Sequence, residues 1–302
     1  VRLFEAPGVA AAGEGDLRVR IVQPSVPQSE KWRPENRAWI WDRLLSLTAA
    51  RGEDEGQRVL VVWPESAVPF VLSRNETALA EIGETLGPDR MLVTGANRLA
   101  GAGSSLEAFN SVHVVNGEGT ILATYDKHHL VPFGEYLPFR PLLEAIGLEK
   151  LTEGIGFSAG RGLQTLVVPG LPAIGPLVCY EAIFPVAVTD PRRRPDVLVN
   201  LTDDSWFGPF AGPRQHLAIA RMRAIEEGLP LVRAANSGIS IVADPRGRVI
   251  GRLGVGEIGT IGVALPAATA PTPYARLGDL VFLGLLLAAA LWARYSEAGR
   301  IF

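Results

Sequence analysis

Short apolar runs, each closed by a turn-forming residue, recur along the chain and set its expected elements. The first is Leu17 to Gln23, alternating and stopped by Pro24 and Pro27. Pro34 opens an expected helix to about Arg51, with Trp39, Leu44, Leu45 and Thr48 on its apolar face. Val59-Leu60-Val61-Val62-Trp63 is apolar without alternation, the pattern of a strand buried on both faces, and it ends at Pro64-Glu65-Ser66. A helical period over Asn75 to Leu86 and an apolar strand over Met91 to Ala96 follow, then a polar, glycine-containing loop from Arg98 to Asn110. Ser111 to Val115, the turn Asn116-Gly117-Glu118-Gly119 and Thr120 to Tyr125 read as a hairpin.

The hairpin leads into Asp126-Lys127-His128-His129 and an aromatic, proline-rich loop, Leu130 to Phe139. A short helix is expected over Pro141 to Ile146 and a loop over Gly154 to Gly162. Further strands are expected at Leu163 to Val168, Ile174 to Cys179, Val197 to Thr202, Leu229 to Ala234, Ile239 to Ala243, Val249 to Leu253 and Thr260 to Leu265, with a helix at Gln215 to Glu227. Many strands with few helices imply an α/β sandwich carrying its helices on the outer faces. Residues 1–16 are rich in Gly and Ala and read as a linker, as does the proline-punctuated stretch from Pro266 to Pro273. The uncharged run Leu280 to Ala293 makes about 21 Å of helix against a hydrocarbon core of about 30 Å. On length it fits a buried core helix; with Trp292 and Tyr295 as interfacial anchors and Arg294 snorkelling, it also fits a membrane span.

Composition narrows the function classes. With 47% hydrophobic and 20% charged residues the chain can bury a large core. A net charge of -3 with no long basic block gives no electrostatic footprint for nucleic acid. One cysteine excludes an internal disulfide framework. The four histidines, His113, His128, His129 and His216, form no metal-ligand spacing with it, so neither a metal nor another cofactor is expected. The chain starts at Val1 without a secretory pattern and reads as a piece of something longer.

Candidate chemistry lies where strands end. Cys179 closes an apolar run, and Tyr180-Glu181-Ala182-Ile183-Phe184-Pro185 reads as a turn into a helix, an elbow that exposes a side chain on a fixed backbone. Glu65 follows a buried strand, where apolar walls raise a carboxyl pKa towards that of a useful base. Lys127 follows a hairpin strand and could stabilise an oxyanion. Each has an ordinary explanation taken singly: an inert buried thiol, a solvated turn carboxylate, a wet lysine. Together they are more specific, because all three sit at strand C-termini, where open sheets gather side chains on one rim. His128 and His129 suggest a Cys-His pair, but neighbours on an extended chain point opposite ways.

At these residues the chain resembles the nitrilase, or carbon-nitrogen hydrolase, superfamily, in which a Glu-Lys-Cys triad occurs in this order on an αββα sandwich. The likeness runs over Leu17 to Leu265. WPESAVPF around Glu65, YDKHHLVPFGEYLP around Lys127 and CYEAIFP around Cys179 look most like the apolipoprotein N-acyltransferase branch. So do Asn200 to Gly208 and Arg233 to Gly238, whereas soluble amidases tend to follow the cysteine with an Asp and a basic residue. The resemblance implies a nitrilase-like catalytic domain over 17–265, a linker over 266–279 and a C-terminal transmembrane helix over 280–295. It makes Cys179 the nucleophile, Glu65 the general base and Lys127 the oxyanion stabiliser, with Glu135, Tyr180 and Glu181 in support. Trp206, Phe207 and Phe133, the last within Val131-Pro132-Phe133, would form lipid-facing walls.

The implied partners are a phospholipid acyl donor, a diacylglyceryl apolipoprotein acceptor and the membrane. Arg294 and Arg300 after the apolar run fit a cytoplasmic C-terminus, which would place the sandwich on the periplasmic side of the bacterial inner membrane. That branch carries an N-terminal transmembrane bundle, and here nothing precedes Val1. Two other readings stay open at this point: a soluble amidase or nitrilase, and a catalytically silent sandwich that serves as a binding module.

Overall fold

β-Branched and aliphatic residues fill the strands of the computed structural model, which describes residues 17–50, 56–139, 156–208 and 210–298. In chain order these are β1 (Arg18–Gln23), β2 (Val59–Val62), β3 (Arg90–Ala100), β4 (Glu107–Val115), β5 (Ile121–Asp126), β6 (Ile174–Val178), β7 (Val197–Thr202), β8 (Leu231–Ala235), β9 (Ser240–Ala243), β10 (Val249–Leu253) and β11 (Gly259–Ala264). The helices are α1 (Gln28–Lys31), α2 (Arg37–Ala49), α3 (Glu76–Leu86), α4 (Gly212–Glu227), α5 (Pro273–Leu277) and α6 (Leu280–Ala298).

The strands form two sheets, ordered β11-β1-β2-β3-β4-β5 and β10-β9-β8-β7-β6. β1, β2 and β3 run parallel, as do β6, β7 and β8, and the remaining pairs, β1 with β11, β3 with β4, β4 with β5, β8 with β9 and β9 with β10, are antiparallel. The side chains that face between the sheets, among them Val19, Ile21, Leu60, Val62, Val112, Val178, Val199 and Val232, form the central core. Ile40 and Leu44 of α2 and Ile82 and Leu86 of α3 cover the outer face of the first sheet. Ala220 and Ala224 of α4 cover the second, against Leu177, Leu198 and Leu231. This is the expected αββα layering. It explains why β2 and β7 are apolar at nearly every position: each is covered on both faces.

Most elements lie where the apolar pattern put them, and the differences have local causes. The segment from Arg98 is not loop at its start: β3 continues to Ala100 and β4 begins at Glu107, because the polar residues there pair across the ladder, Arg98 opposite Phe109 and Asn97 opposite Asn110. Leu163 to Val168 is not a strand. Only Leu166 makes a bridge, to Ile174, before Pro169-Gly170 turns the chain. The stretch 266–279 contains the short helix α5, started by Pro273 and capped by Thr272, whose hydroxyl accepts from Ala275 N. The short helix expected at Pro141 to Ile146 and the linker at 1–16 lie outside the described residues.

α6 extends the expected helix to Ala298 and does not pack as a core helix: Leu285 is 67% exposed, and Leu280, Leu283, Leu286, Leu287 and Leu291 are exposed with it. Among the described residues no helix is long and apolar enough to cross a membrane.

Candidate active site

Strand direction places the site. β5 is antiparallel to β4, which is antiparallel to β3, so β5 runs the same way as β2 and β3. The C-terminal ends of β2 and β5 thus share a rim, and Glu65 and Lys127 emerge there. Gly95 permits the turn that carries Glu65: a Cβ at that position would lie 2.6 Å from the Glu65 Cα and 2.7 Å from the Pro64 carbonyl oxygen. Glu65 and Lys127 are both buried, the lysine at 1% exposure, which removes the wet-lysine explanation.

The charged groups form one cluster. Lys127 Nζ lies 3.9 Å from Glu65 Oε1 and donates to both oxygens of Glu135, at 2.9 and 2.8 Å. Asn110 Nδ2 bridges the two carboxylates, donating to Glu65 at 2.8 Å and Glu135 at 3.1 Å. Glu135 also accepts from Val131 N at 2.8 Å, which folds the aromatic loop back onto the cluster. On its far oxygen Glu65 accepts the Asp203 N–H at 2.8 Å. Burial raises the Glu65 pKa above the ordinary carboxylate value, opposed by Lys127 and Asn110 and aided by Glu135 and Asp203. For Lys127 burial acts against the charge, and the acidic neighbours Glu65, Cys179 and Glu135 outweigh it, so the ammonium is held charged.

Cys179 follows β6 directly as the first residue of a 3-10 turn, Cys179–Ile183. Its φ of 50° is left-handed, a conformation that a side chain occupies only where the surroundings impose it. The strand-to-turn elbow is therefore present with its strain. The charges of Glu65 and Lys127 both act on the sulfur. Burial pushes the thiol pKa up, Glu65 adds to this and Lys127 opposes it. The resting sulfur is a thiol, and it needs a base at hand to become a nucleophile.

Glu181, expected in support, is held by four hydrogen bonds. It is buried at 1% exposure and does not line the rim. One oxygen accepts from Tyr125 Oη at 2.7 Å, His128 N at 2.8 Å and His129 N at 3.0 Å; the other accepts from Val178 N at 2.8 Å. It clamps the turn after Lys127 to the strand before Cys179. Tyr180 is half-buried with its ring edge-on to Phe184. His129 stacks on Phe184 at 4.0 Å and His128 lies 3.3 Å from the Gly160 carbonyl. Phe133 and Trp206 are exposed at 76% and 74%, and Phe207 is also exposed.

Several members of the site carried no signal of their own in the sequence. Asn110 and Lys31 are the clearest. Lys31, 3% exposed, donates to Asp203 Oδ2 at 2.6 Å and to the Glu65 carbonyl at 3.2 Å. Asp203 and Asn236 lie in stretches already singled out for their motifs, and Asn236 Nδ2 meets both Asp203 oxygens. Among the described residues no group of three His, Cys, Asp or Glu side chains could hold a metal ion.

The sequence matches the carbon-nitrogen hydrolase family over residues 18–274. It is 46% identical over 301 residues to the apolipoprotein N-acyltransferase of Bradyrhizobium diazoefficiens, covering 95% of this chain and 56% of that protein. To the apolipoprotein N-acyltransferase of Rhodopseudomonas palustris it is 46% identical over 273 residues, 88% of this chain and 51% of that one. The chain thus spans about half the length of the curated relatives it matches. Among solved structures, an amidase from Nesterenkonia superposes with a TM-score of 0.58 at 21% identity, over 85% of this chain and 93% of the other. A CN-hydrolase superfamily protein from Xanthomonas campestris with an arsenic adduct in its active site gives 0.56 at 20% identity, over 90% and 96%. At those identities the structures speak for the fold. The fold, the site at the rim of its sheets and the match over 18–274 lead to one assignment: the chain belongs to the carbon-nitrogen hydrolase family.

Proposed function

We propose that this chain is the catalytic part of an apolipoprotein N-acyltransferase, which moves a fatty acyl group from a phospholipid, through a thioester on Cys179, to the α-amine of an S-diacylglyceryl cysteine. The observation that carries the reading is the 46% identity to an enzyme of that name over 95% of the chain. Glu65, with its raised pKa, takes the thiol proton as the sulfur attacks the ester carbonyl. Lys127 Nζ, held charged by its acidic neighbours, and the Tyr180 N–H face the oxyanion. The tetrahedral intermediate collapses, the C–O bond breaks, and Glu65 returns the proton to the leaving lysophospholipid alkoxide. In the second half the amine attacks the thioester, Glu65 receives its proton, and the Cys179 sulfur leaves. Glu135 holds the lysine and Glu181 holds the elbow, each through the hydrogen bonds described above.

The lipid side of the reading rests on apolar surface. Phe133, Trp206 and Phe207 stand exposed in loops that flank the cluster and would meet acyl chains. α6 would insert its leucines into lipid, with the sandwich on the periplasmic face of the bacterial inner membrane, in keeping with Arg294 and Arg300 beyond the apolar run. The test is intact-mass analysis of the detergent-solubilised chain after incubation with a defined phospholipid. The expected result is a fatty-acyl adduct on Cys179, labile to hydroxylamine and passed to a diacylglyceryl peptide. An adduct from short amides but none from phospholipid would overturn the reading in favour of a hydrolase.

A further inference from the structure

Behind the nucleophile, on the side away from Glu65 and Lys127, lies a buried polar chain that the reaction as described does not use. His216, on α4 and 6% exposed, has Nε2 at 3.1 Å from the Cys179 carbonyl oxygen and Nδ1 at 2.9 Å from Asp204 Oδ1. Arg233, fully buried in β8, donates to Asp204 Oδ2 at 2.8 Å and to Asn200 Oδ1, and its Nη2 lies 3.2 Å from His216 Nδ1. A carbonyl oxygen only accepts, so Nε2 carries a proton and donates to Cys179, whichever form the other nitrogen takes. Asp204 and Arg233 together fix the ring.

The bond acts on a particular peptide unit. Every peptide in the described chain is trans, so the Cys179 C=O and the Tyr180 N–H point in opposite directions from one plane. α4 covers the outer face of the second sheet, so the carbonyl turns towards α4 and the N–H turns away from it, to the side of the first sheet, where Glu65 and Lys127 stand. Tyr180 is the second residue of its 3-10 turn, and its N–H has no acceptor among the described residues. Cys179 itself sits at a left-handed φ of 50°, a conformation that its surroundings have to hold.

We infer that His216 is a positioning residue: its Nε2–H pins the Cys179 carbonyl and thereby aims the Tyr180 N–H at the oxyanion. The inference rests on the proposal that Cys179 forms an acyl intermediate, and does not depend on the acyl donor being a lipid. It requires that loss of the donor harm acyl transfer, which builds an oxyanion, and spare alkylation of the same sulfur, which does not.

The experiment compares His216→Met and His216→Gln in the full chain. The two replacements are similar in length and volume, and only Gln carries an N–H. Single-turnover acylation by a short p-nitrophenyl ester and alkylation by iodoacetamide are measured on each, with KM for the ester and the thermal midpoint. For His216→Met we expect acylation to fall about tenfold or more, with KM and the iodoacetamide rate within about twofold of the parent, and for His216→Gln we expect most of the acylation to return. Parental acylation in His216→Met, a parallel loss of acylation and alkylation, or no recovery in His216→Gln overturns the inference. If either variant fails to fold, His216→Asn and His216→Ala are measured in the same way under the same criteria. A parent chain that takes the short ester but no phospholipid would remove the acyltransferase reading and leave this one standing.

Discussion

At the scale of the residue, Glu65 sets the balance between stability and chemistry. Its carboxyl, with a pKa raised above 4.5 by burial, binds a proton more tightly folded than unfolded. Its contribution to stability is therefore fully present below the unfolded pKa and is lost as pH rises through the folded one. Asp203 and Asp204, held below 3.8 because Lys31 and Arg233 outweigh burial, act in the opposite sense, and only at lower pH. Between pH 4.5 and 7, urea midpoints of the parent should fall more than those of Glu65→Gln, because the variant lacks the titration. The same variant should lose acylation by about 10²-fold or more, and the acid limb of the parent's activity should lie above the ordinary Glu range. Arg233 gives a second case. It is fully buried against Asp204, so Arg233→Leu leaves a buried carboxylate without its counter-charge and should cost about 3–5 kcal/mol in a urea titration.

At the scale of the element, the site depends on how closely turns approach neighbouring strands. Gly95 in β3 lies against the backbone at Pro64 and Glu65, so Gly95→Ala has to move main chain and not a flexible side-chain tip. A loss of about 1–3 kcal/mol is expected, with a fall in acylation larger than a remote variant of equal stability would show; paired denaturation and single-turnover measurements check it. This scale also shows what the sequence could reveal. β2, β6 and β7 were legible because apolar runs ending at turn residues have few other readings, and their last residues led to Glu65, Cys179 and the Asp203 stretch. The far half of β3 was not legible: the stretch from Arg98 looks like loop until β4 and Asp126 supply partners, Arg98 meeting Asp126 at 2.7 Å. Lys31 escaped for the same reason, since its partner Asp203 lies 172 residues away and nothing near Lys31 announces a buried charge. Local pattern reports burial and turns, and a polar residue buried by a distant partner leaves no local mark. The carry-over from known proteins supplied Glu135, the position two residues beyond Cys179 pointed to Glu181, and the hydrogen bonds show what each holds.

At the scale of the whole molecule, α6 stands apart from the sandwich with its leucines exposed, whereas the three apolar clusters lie within the four layers. A chain ended after Asp279 should keep its thermal midpoint within a few degrees and still acylate from the short ester, yet lose flotation with vesicles of phosphatidylethanolamine and phosphatidylglycerol. Retained flotation would shift the weight to the exposed aromatics at the rim.

The pairing of β1 with β11 has a consequence during synthesis. Val19 lies opposite Val263, so the first strand of the sheet takes one of its two neighbours from almost the end of the sandwich. Until that last partner has left the ribosome, β1 presents an open edge to any other strand in reach. The nascent sandwich is therefore exposed to misjoining for nearly its entire translation, and a ribosome stalled ahead of Gly259 releases a product with a sticky seam.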